Sequence, residues 1–496
     1  MSVLPLKNAS YRQWLLLLIV GTLALRWALM IASPLNLHGD EAQYWAWSRD
    51  LDWGYFSKPP LIAWIIALFT SIFGSAEWAI RLPSALLHSL TCWVIFVTVR
   101  KAFDARTGFW AACFYLFMPG VWLSSTIIST DVPLLLCWAL ALNAWVYFRD
   151  APSWPRALQL GLAIGFGLLA KYAMLFFLPI LGFAVLIDAR TRRALLGPKG
   201  LAAGAVAAAL FIPNIIWNLN HDFATLAHTA ENANLSGPLL NPFELLSFWG
   251  SQLGVFGPIA FPVLILALFK WKQLPVFGRW IAGLALLPLL VISLEALLSR
   301  ANANWAATAY IAAPIIVALY AVSRPKLMTA LKIGLIAQSA VMIVAGIAMT
   351  VPVWANAIGL ANSIKRSRGW PETIQAIEDI YNQGHDGKTF GGVATDNRLV
   401  FYDALYYGLT DTAPLSMWKL SPAPGNHAEM TRPLTRTENP VLLITYYEDE
   451  DELYYEDFEK LIPLDPIDID LGGGKRRQLN VWAGYGYTPP SIARSR

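Results

Sequence analysis

Long apolar runs constrain this chain more than any other feature of its sequence. Stretches of about twenty residues with few charges recur from Leu15 to Val353. A hydrocarbon core of roughly 30 Å takes about twenty helical residues to cross. In lipid every backbone N–H and C=O must find a partner within the chain, so such runs fold as a bundle of helices. Composition agrees: 56% of the 496 residues are hydrophobic and 14% are charged, where soluble domains carry about a quarter. The expected fold class is an all-α polytopic membrane protein with about 11–13 transmembrane helices and a small C-terminal α/β domain. Cys92, Cys113 and Cys137 lie inside apolar runs and read as packing residues rather than a disulfide or metal framework.

Eleven spans are expected near 14–32, 79–100, 107–126, 132–148, 157–170, 172–188, 200–217, 245–269, 279–298, 304–322 and 331–353. The first, preceded by Lys7 and Arg12, reads as an uncleaved signal anchor. Arg26 lies within it and is given no catalytic role. Alternate connections are rich in Lys and Arg, as in Arg100–Lys101–Arg106 and Arg190–Arg192–Arg193–Lys199. The positive-inside rule then puts the N-terminus in the cytoplasm and the C-terminal part in the periplasm. LIAWIIALFTSIF (61–73) has only thirteen residues. It is too short to cross and reads as an interfacial or re-entrant helix.

After Val353 the character changes. Residues 1–355 are expected to form the transmembrane domain, with a first periplasmic loop at 33–78, and 356–496 a soluble domain. Residues 369–384 read as an amphipathic helix. Strands are expected at 389–395, 440–447 and 477–485. GGGK (472–475) lacks the spacing of a phosphate loop and reads as a turn between strands. The acidic run 448–459 reads as a solvated face.

On this topology the outer face collects the unusual polar residues. The first loop, LHGDEAQYWAWSRDLDWGYFSKPPLIAW (37–64), brings Asp40, Glu41 and Lys58. The second brings Ser129, Thr130 and Asp131. Lys171 stands between two apolar runs. Further loops bring His221, His228 and Glu231, then Arg300, Asn302 and Asn304. Carboxylates could take an acceptor proton, and cations could hold a lipid phosphate and the charge that grows as it leaves. Each side chain also has an ordinary reading. Asp40 and Glu41 could cap a helix, Lys58 could snorkel, Asp131 could sit on a helix dipole, and Lys171 and Arg300 could anchor at the interface.

Asp-Glu after the first span, then YFSKPP, a short apolar helix, FG, Arg-Leu-Pro and the next span resemble the GT-C polyprenyl-phosphate-dependent glycosyltransferases (family 39/83 type). The likeness leans to the branch holding the lipid A aminoarabinose transferase and the galacturonosyl and hexosyl transferases of lipopolysaccharide. Protein O-mannosyltransferases share the Asp-Glu loop more distantly. The likeness covers about 1–355, is densest over 37–101, and continues at STDVP (129–133) and AKY (170–172). It implies a glycosyltransferase of the bacterial inner membrane with a periplasmic active site. The sugar would pass from a polyprenyl phosphate to lipid A or lipopolysaccharide core, among membrane lipids and without nucleic acid. Asp40, Glu41 and Asp131 would be catalytic, Lys58, Lys171 and Arg300 would bind the donor phosphate, and Tyr44 and Tyr55 would touch substrate. No cofactor is certain. A divalent metal is possible, with His228 and Glu231 as candidates. Gln43 and Ser57 stand where aminoarabinose transferases usually carry Arg and Glu, which leaves the sugar and the metal requirement open. A protein O-mannosyltransferase and a flippase for a lipid-linked sugar are the alternatives.

Overall fold

The structure is a computed structural model that describes residues 8–232, 240–446, 451–492 and 494. The chain opens with α1 (Asn8–Ala32), α2 (Gly39–Trp47), α3 (Leu61–Phe73), α4 (Glu77–Ala102), α5 (Ala105–Leu116), α6 (Pro119–Ser124), α7 (Asp131–Asp150) and α8 (Trp154–Ala170). A 3-10 turn (Tyr172–Phe176) leads into α9 (Phe177–Ile187), α10 (Ala189–Leu195), α11 (Pro198–Asn220), α12 (Ala224–Asn232), α13 (Pro242–Phe256), α14 (Ala260–Phe269) and α15 (Val276–Leu298). After a 3-10 turn at Trp271–Gln273, a further one (Ala303–Ala306) precedes α16 (Ala309–Ala321) and α17 (Pro325–Met349).

Six of these helices are long and apolar enough to cross a membrane, or up to eight if each bent pair forms one span. A helical segment stands at each of the eleven expected positions, but two are broken. The 107–126 segment divides into α5 and α6 where Pro119 opens a new helix. The 245–269 segment bends by 114° between α13 and α14. Gly257 there has φ +110°, and Pro258 follows without an N–H to continue the ladder. Arg26 closes the first break by donating from Nη2 to the orphaned Leu116 carbonyl at 2.7 Å. The most enclosed spanning window belongs to α7, at 83% buried, and the least to α17, at 17%. Leu17 and Val20 on α1, Leu201 on α11 and Ile336 and Val344 on α17 are exposed, as a lipid-facing surface requires. The chain is a multi-span membrane protein.

The α3 helix ends at Gly74 (φ +78°) and buries one face through Ile62, Ala63, Ile66 and Thr70. Beyond α18 (Pro352–Ala357) and α19 (Ala361–Ile364), the chain forms α20 (Trp370–Gln383), β1 (Gly392–Thr395), α21 (Arg398–Tyr406), β2 (Leu415–Met417), α22 (His427–Thr431), β3 (Val441–Thr445), α23 (Asp451–Asp457), β4 (Phe458–Gly472) and β5 (Lys475–Tyr487). The sheet order is β2-β1-β3-β5-β4. Strands β2, β1 and β3 run parallel, and β5 pairs antiparallel with both β3 and β4. The three expected strands are present. Strand β4 comes from a stretch read only in part, as a solvated acidic face: residues 451–457 are helix α23, the strand starts at Phe458, and 448–450 lie outside the described residues. Gly472, Gly473 and Gly474 all have positive φ and turn β4 into β5. An apolar cluster joins Leu37, Tyr44, Trp47, Ile62 and Ile128 to Trp370, Ile374, Phe401, Leu442 and Val481. The C-terminal part therefore shares one core with the first loop.

Candidate active site

The site begins with the cap of α2. The His38 ring accepts from Asp40 N–H at 3.3 Å, and the Glu41 carboxylate accepts from His38 N–H at 3.0 Å. This reciprocal cap fixes the direction in which both acids leave the helix. Glu41 turns inward. It is 2% exposed and pairs with Arg81 at 2.7 Å. It also accepts from the Ile128 N–H at 2.9 Å. Arg81 in turn holds the Leu35 and Asn36 carbonyls at 2.9 and 2.7 Å. Asp40 lines a cavity of about 1220 Å³, whose wall also holds the Glu41–Arg81 pair.

That cavity also takes Tyr44, Lys58, Asp131, Lys171, His228 and Arg398, with Met30, Trp122, Met342 and Met349 on its apolar side. Lys58 arrives on a tight turn closed by the Tyr55 N–H to Lys58 O bond at 3.0 Å and its return at 3.3 Å. Pro59 and Pro60 stiffen the exit. Its ammonium makes no ion pair with any described residue. Burial and the nearby Lys171 pull it down to about 8, although Asp40 and Asp131 oppose them. Asp131, the first residue of α7, pairs with Lys171 at 2.7 Å and accepts from Asn304 Nδ2 at 2.9 Å. Arg398 reaches Asp40 Oδ1 from the N-terminus of α21 at 2.9 Å and also donates to Gln43 Oε1. Burial alone would raise the Asp40 carboxyl, but Arg398, His38 and Lys58 outweigh it and hold it below the ordinary range. An ion-paired carboxylate, an ammonium without a direct ion pair among the described residues and a second ion pair thus share one cavity with polar and apolar walls.

The family model described as dolichyl-phosphate-mannose-protein mannosyltransferase matches residues 57–217. The lipid A galacturonosyltransferase RgtD of Rhizobium johnstonii is 37% identical over 61% of this chain and 64% of its own length. The core galacturonosyltransferase RgtA of the same organism is 28% identical over 51% of each chain. The matched part thus spans about half to two-thirds of these relatives. Two crystal structures of ArnT from Cupriavidus metallidurans superpose along nearly the whole chain. The apo form has a TM-score of 0.62 at 14% identity, covering 98% of this chain and 100% of its own. The form bound to undecaprenyl phosphate has 0.63 at 15%, covering 97% and 99%.

The chain has the GT-C fold.

Within this GT-C fold the cavity brings together Asp40, Lys58, Asp131, Lys171 and Tyr44 from four separate stretches of sequence. Burial pushes the Tyr44 hydroxyl up, so it stays protonated. Glu41 also lines the cavity, where its carboxylate is held by Arg81 and by the Ile128 N–H. Two expectations are corrected, for Tyr55 and Arg300. Tyr55 does not line the cavity. Its ring stacks on Trp47 at 4.6 Å, and its hydroxyl donates to the Trp47 and Asp50 carbonyls at 2.9 and 3.0 Å. Arg300 is exposed and off the cavity wall, whereas Asn302 and Asn304 from the same loop line it.

His228 lines the cavity, but burial and then Lys58 and Arg398 bring it down to about 4, so it is neutral at pH 7. The Glu231 side chain lies outside the described residues. Among the described residues no three His, Cys, Asp or Glu side chains are grouped to share a metal ion. Asp40, Glu41 and Asp131 are each already held by a cation. Among the described residues the donors present do not fit a resident divalent metal. Arg398 is the functional candidate that sequence reasoning missed. Asn397 before an apolar run marks a helix start, but nothing local says that this start meets Asp40 across 358 residues.

Proposed function

We propose that this protein is an inverting glycosyltransferase that moves a sugar from a polyprenyl phosphate to lipid A or lipopolysaccharide core at the periplasmic face of the bacterial inner membrane. The observation that carries this reading is the pairing of Asp40 with the unpaired Lys58 in one cavity with an apolar side. The acceptor hydroxyl oxygen attacks the anomeric carbon while Asp40 takes its proton. The bond from that carbon to the phosphate oxygen breaks, and the polyprenyl phosphate leaves with the electron pair. Lys58 neutralises the charge gathered on the leaving phosphate, with Lys171 beside it. Asp131 holds Lys171 toward the cavity and serves as a positioning residue. Tyr44 offers its hydroxyl to substrate. Residues 1–355 form the transferase body and 356–496 a periplasmic part that closes the site.

RgtD and RgtA are named as transferases to lipid A and to lipopolysaccharide core, which supports that acceptor. The matching family model, described by protein mannosylation, supports a second reading, transfer to a secreted protein. Mass spectrometry of lipid A and core from cells with and without the gene tests the proposal. The expected result is one glycosyl unit missing from lipid A or core in the deletion strain. Unchanged lipid with a hexose lost from a secreted protein would shift the assignment to protein mannosylation. Movement of the lipid-linked sugar across the membrane without transfer would instead mark a flippase.

A further inference from the structure

Arg398 is built into the cavity with more donors than its neighbours use. Gly39 lets α21 close on α2: a Cβ there would lie 2.6 Å from Leu399 Cδ2 and 2.9 Å from Leu399 Cβ. Arg398 is the first residue of α21, so this close approach delivers it to the cavity wall. Only its Nη1 is engaged, by Asp40 and Gln43. Among the described residues Nε and Nη2 have no partner, and 42% of the side chain stays exposed. The Nε–Nη2 edge of a guanidinium presents two parallel N–H groups, the spacing that matches a carboxylate.

The rest of the charge pattern says what could meet that edge. Asp40, Glu41 and Asp131 are each paired with a cation. The charges bearing on Lys58 are Lys171, Asp40, Asp131 and Arg398. Glu295 also lines the cavity, as a carboxylate without an ion pair among the described residues. A sugar with its own carboxylate would find an open guanidinium edge.

Building on the transferase reading above, we propose that Arg398 is a specificity residue for a donor whose sugar is a hexuronate, its Nε–Nη2 edge taking both carboxylate oxygens while Nη1 keeps Asp40 in place. The names of RgtD and RgtA as galacturonosyltransferases accord with this assignment.

The test is donor binding to the full chain in lipid nanodiscs without acceptor. The probes are a short polyprenyl phosphate carrying galacturonate, glucose, aminoarabinose or no sugar. A charge-assisted bidentate contact predicts about 10- to 100-fold tighter binding of the galacturonate probe than of the glucose probe. R398Q brings that ratio close to one, and R398K keeps part of it, each checked for a native-like melting profile. A wild type without the preference, a wild type that prefers aminoarabinose, or an R398Q that weakens both sugars in step overturns the inference and leaves the transferase reading standing. If none of the four probes binds, the transferase reading falls and this inference with it.

Discussion

Successive helix residues point about 100° apart, and at positions 40 and 41 that rotation separates two acids into two jobs. Glu41 goes to the buried pair with Arg81. Removing one member of such a pair leaves an uncompensated charge, so Glu41→Ala should destabilise the protein by about 3–5 kcal/mol. Thermal unfolding in detergent checks this, and a melting profile equal to wild type would contradict it. Lys58 gives a pH prediction. Its folded pKa of about 8 lies below the ordinary lysine value, so the free enzyme loses that charge as pH rises through 8. The ratio kcat/KM for donor should fall by about tenfold per pH unit above that point, while kcat falls less because bound phosphate favours the charged form. Lys58→Arg should remove the alkaline limb, since arginine stays charged. A limb unchanged in that variant would exclude Lys58 as its source. At this scale the motif residues Asp40 and Lys58, which line one cavity, could be picked out because their neighbours in sequence mark them. That Tyr55 and Arg300 lie off that cavity could not be read, because the direction of a side chain depends on what packs behind it.

Helices show the same division. Amphipathicity and length located the apolar elements, including α3, because period and run length are written locally. The two breaks were not legible from run length alone. Proline and glycine sit at 119, 257 and 258, but similar residues inside α4, α11 and α15 leave those helices continuous. The approach of α21 to α2 was invisible for a related reason: nothing near Gly39 in sequence says that Leu399 packs against it. Gly39→Ala should cost about 1–3 kcal/mol by overpacking. Leu399→Ala in the same chain should recover most of that loss, because the two sites share one contact. Additive losses in the double mutant would contradict the contact.

At the scale of the whole molecule, the sequence divides into an apolar part and a mixed part, and the structure rejoins them. Asn36 N–H donates to Ser367 O at 3.0 Å, Leu37 N–H to the Tyr407 hydroxyl at 2.9 Å, and Trp370 N–H to Asn36 Oδ1 at 3.2 Å. The apolar cluster crosses the same boundary. Composition marks where a chain changes character, but it does not say which surfaces later meet. Residues 356–496 expressed alone should therefore expose the face that packs on α2 and α3, bind hydrophobic dye and aggregate. A soluble, cooperatively melting fragment would contradict the shared core. The central claim is that Asp40 takes the acceptor proton while Lys58 holds the donor phosphate. It is tested most directly by turnover of purified Asp40→Asn with a polyprenyl-phosphate-linked sugar and lipid A in nanodiscs. The account predicts about a 10²- to 10⁴-fold loss in kcat with melting unchanged from wild type. Turnover by Asp40→Asn at the wild-type rate would contradict it.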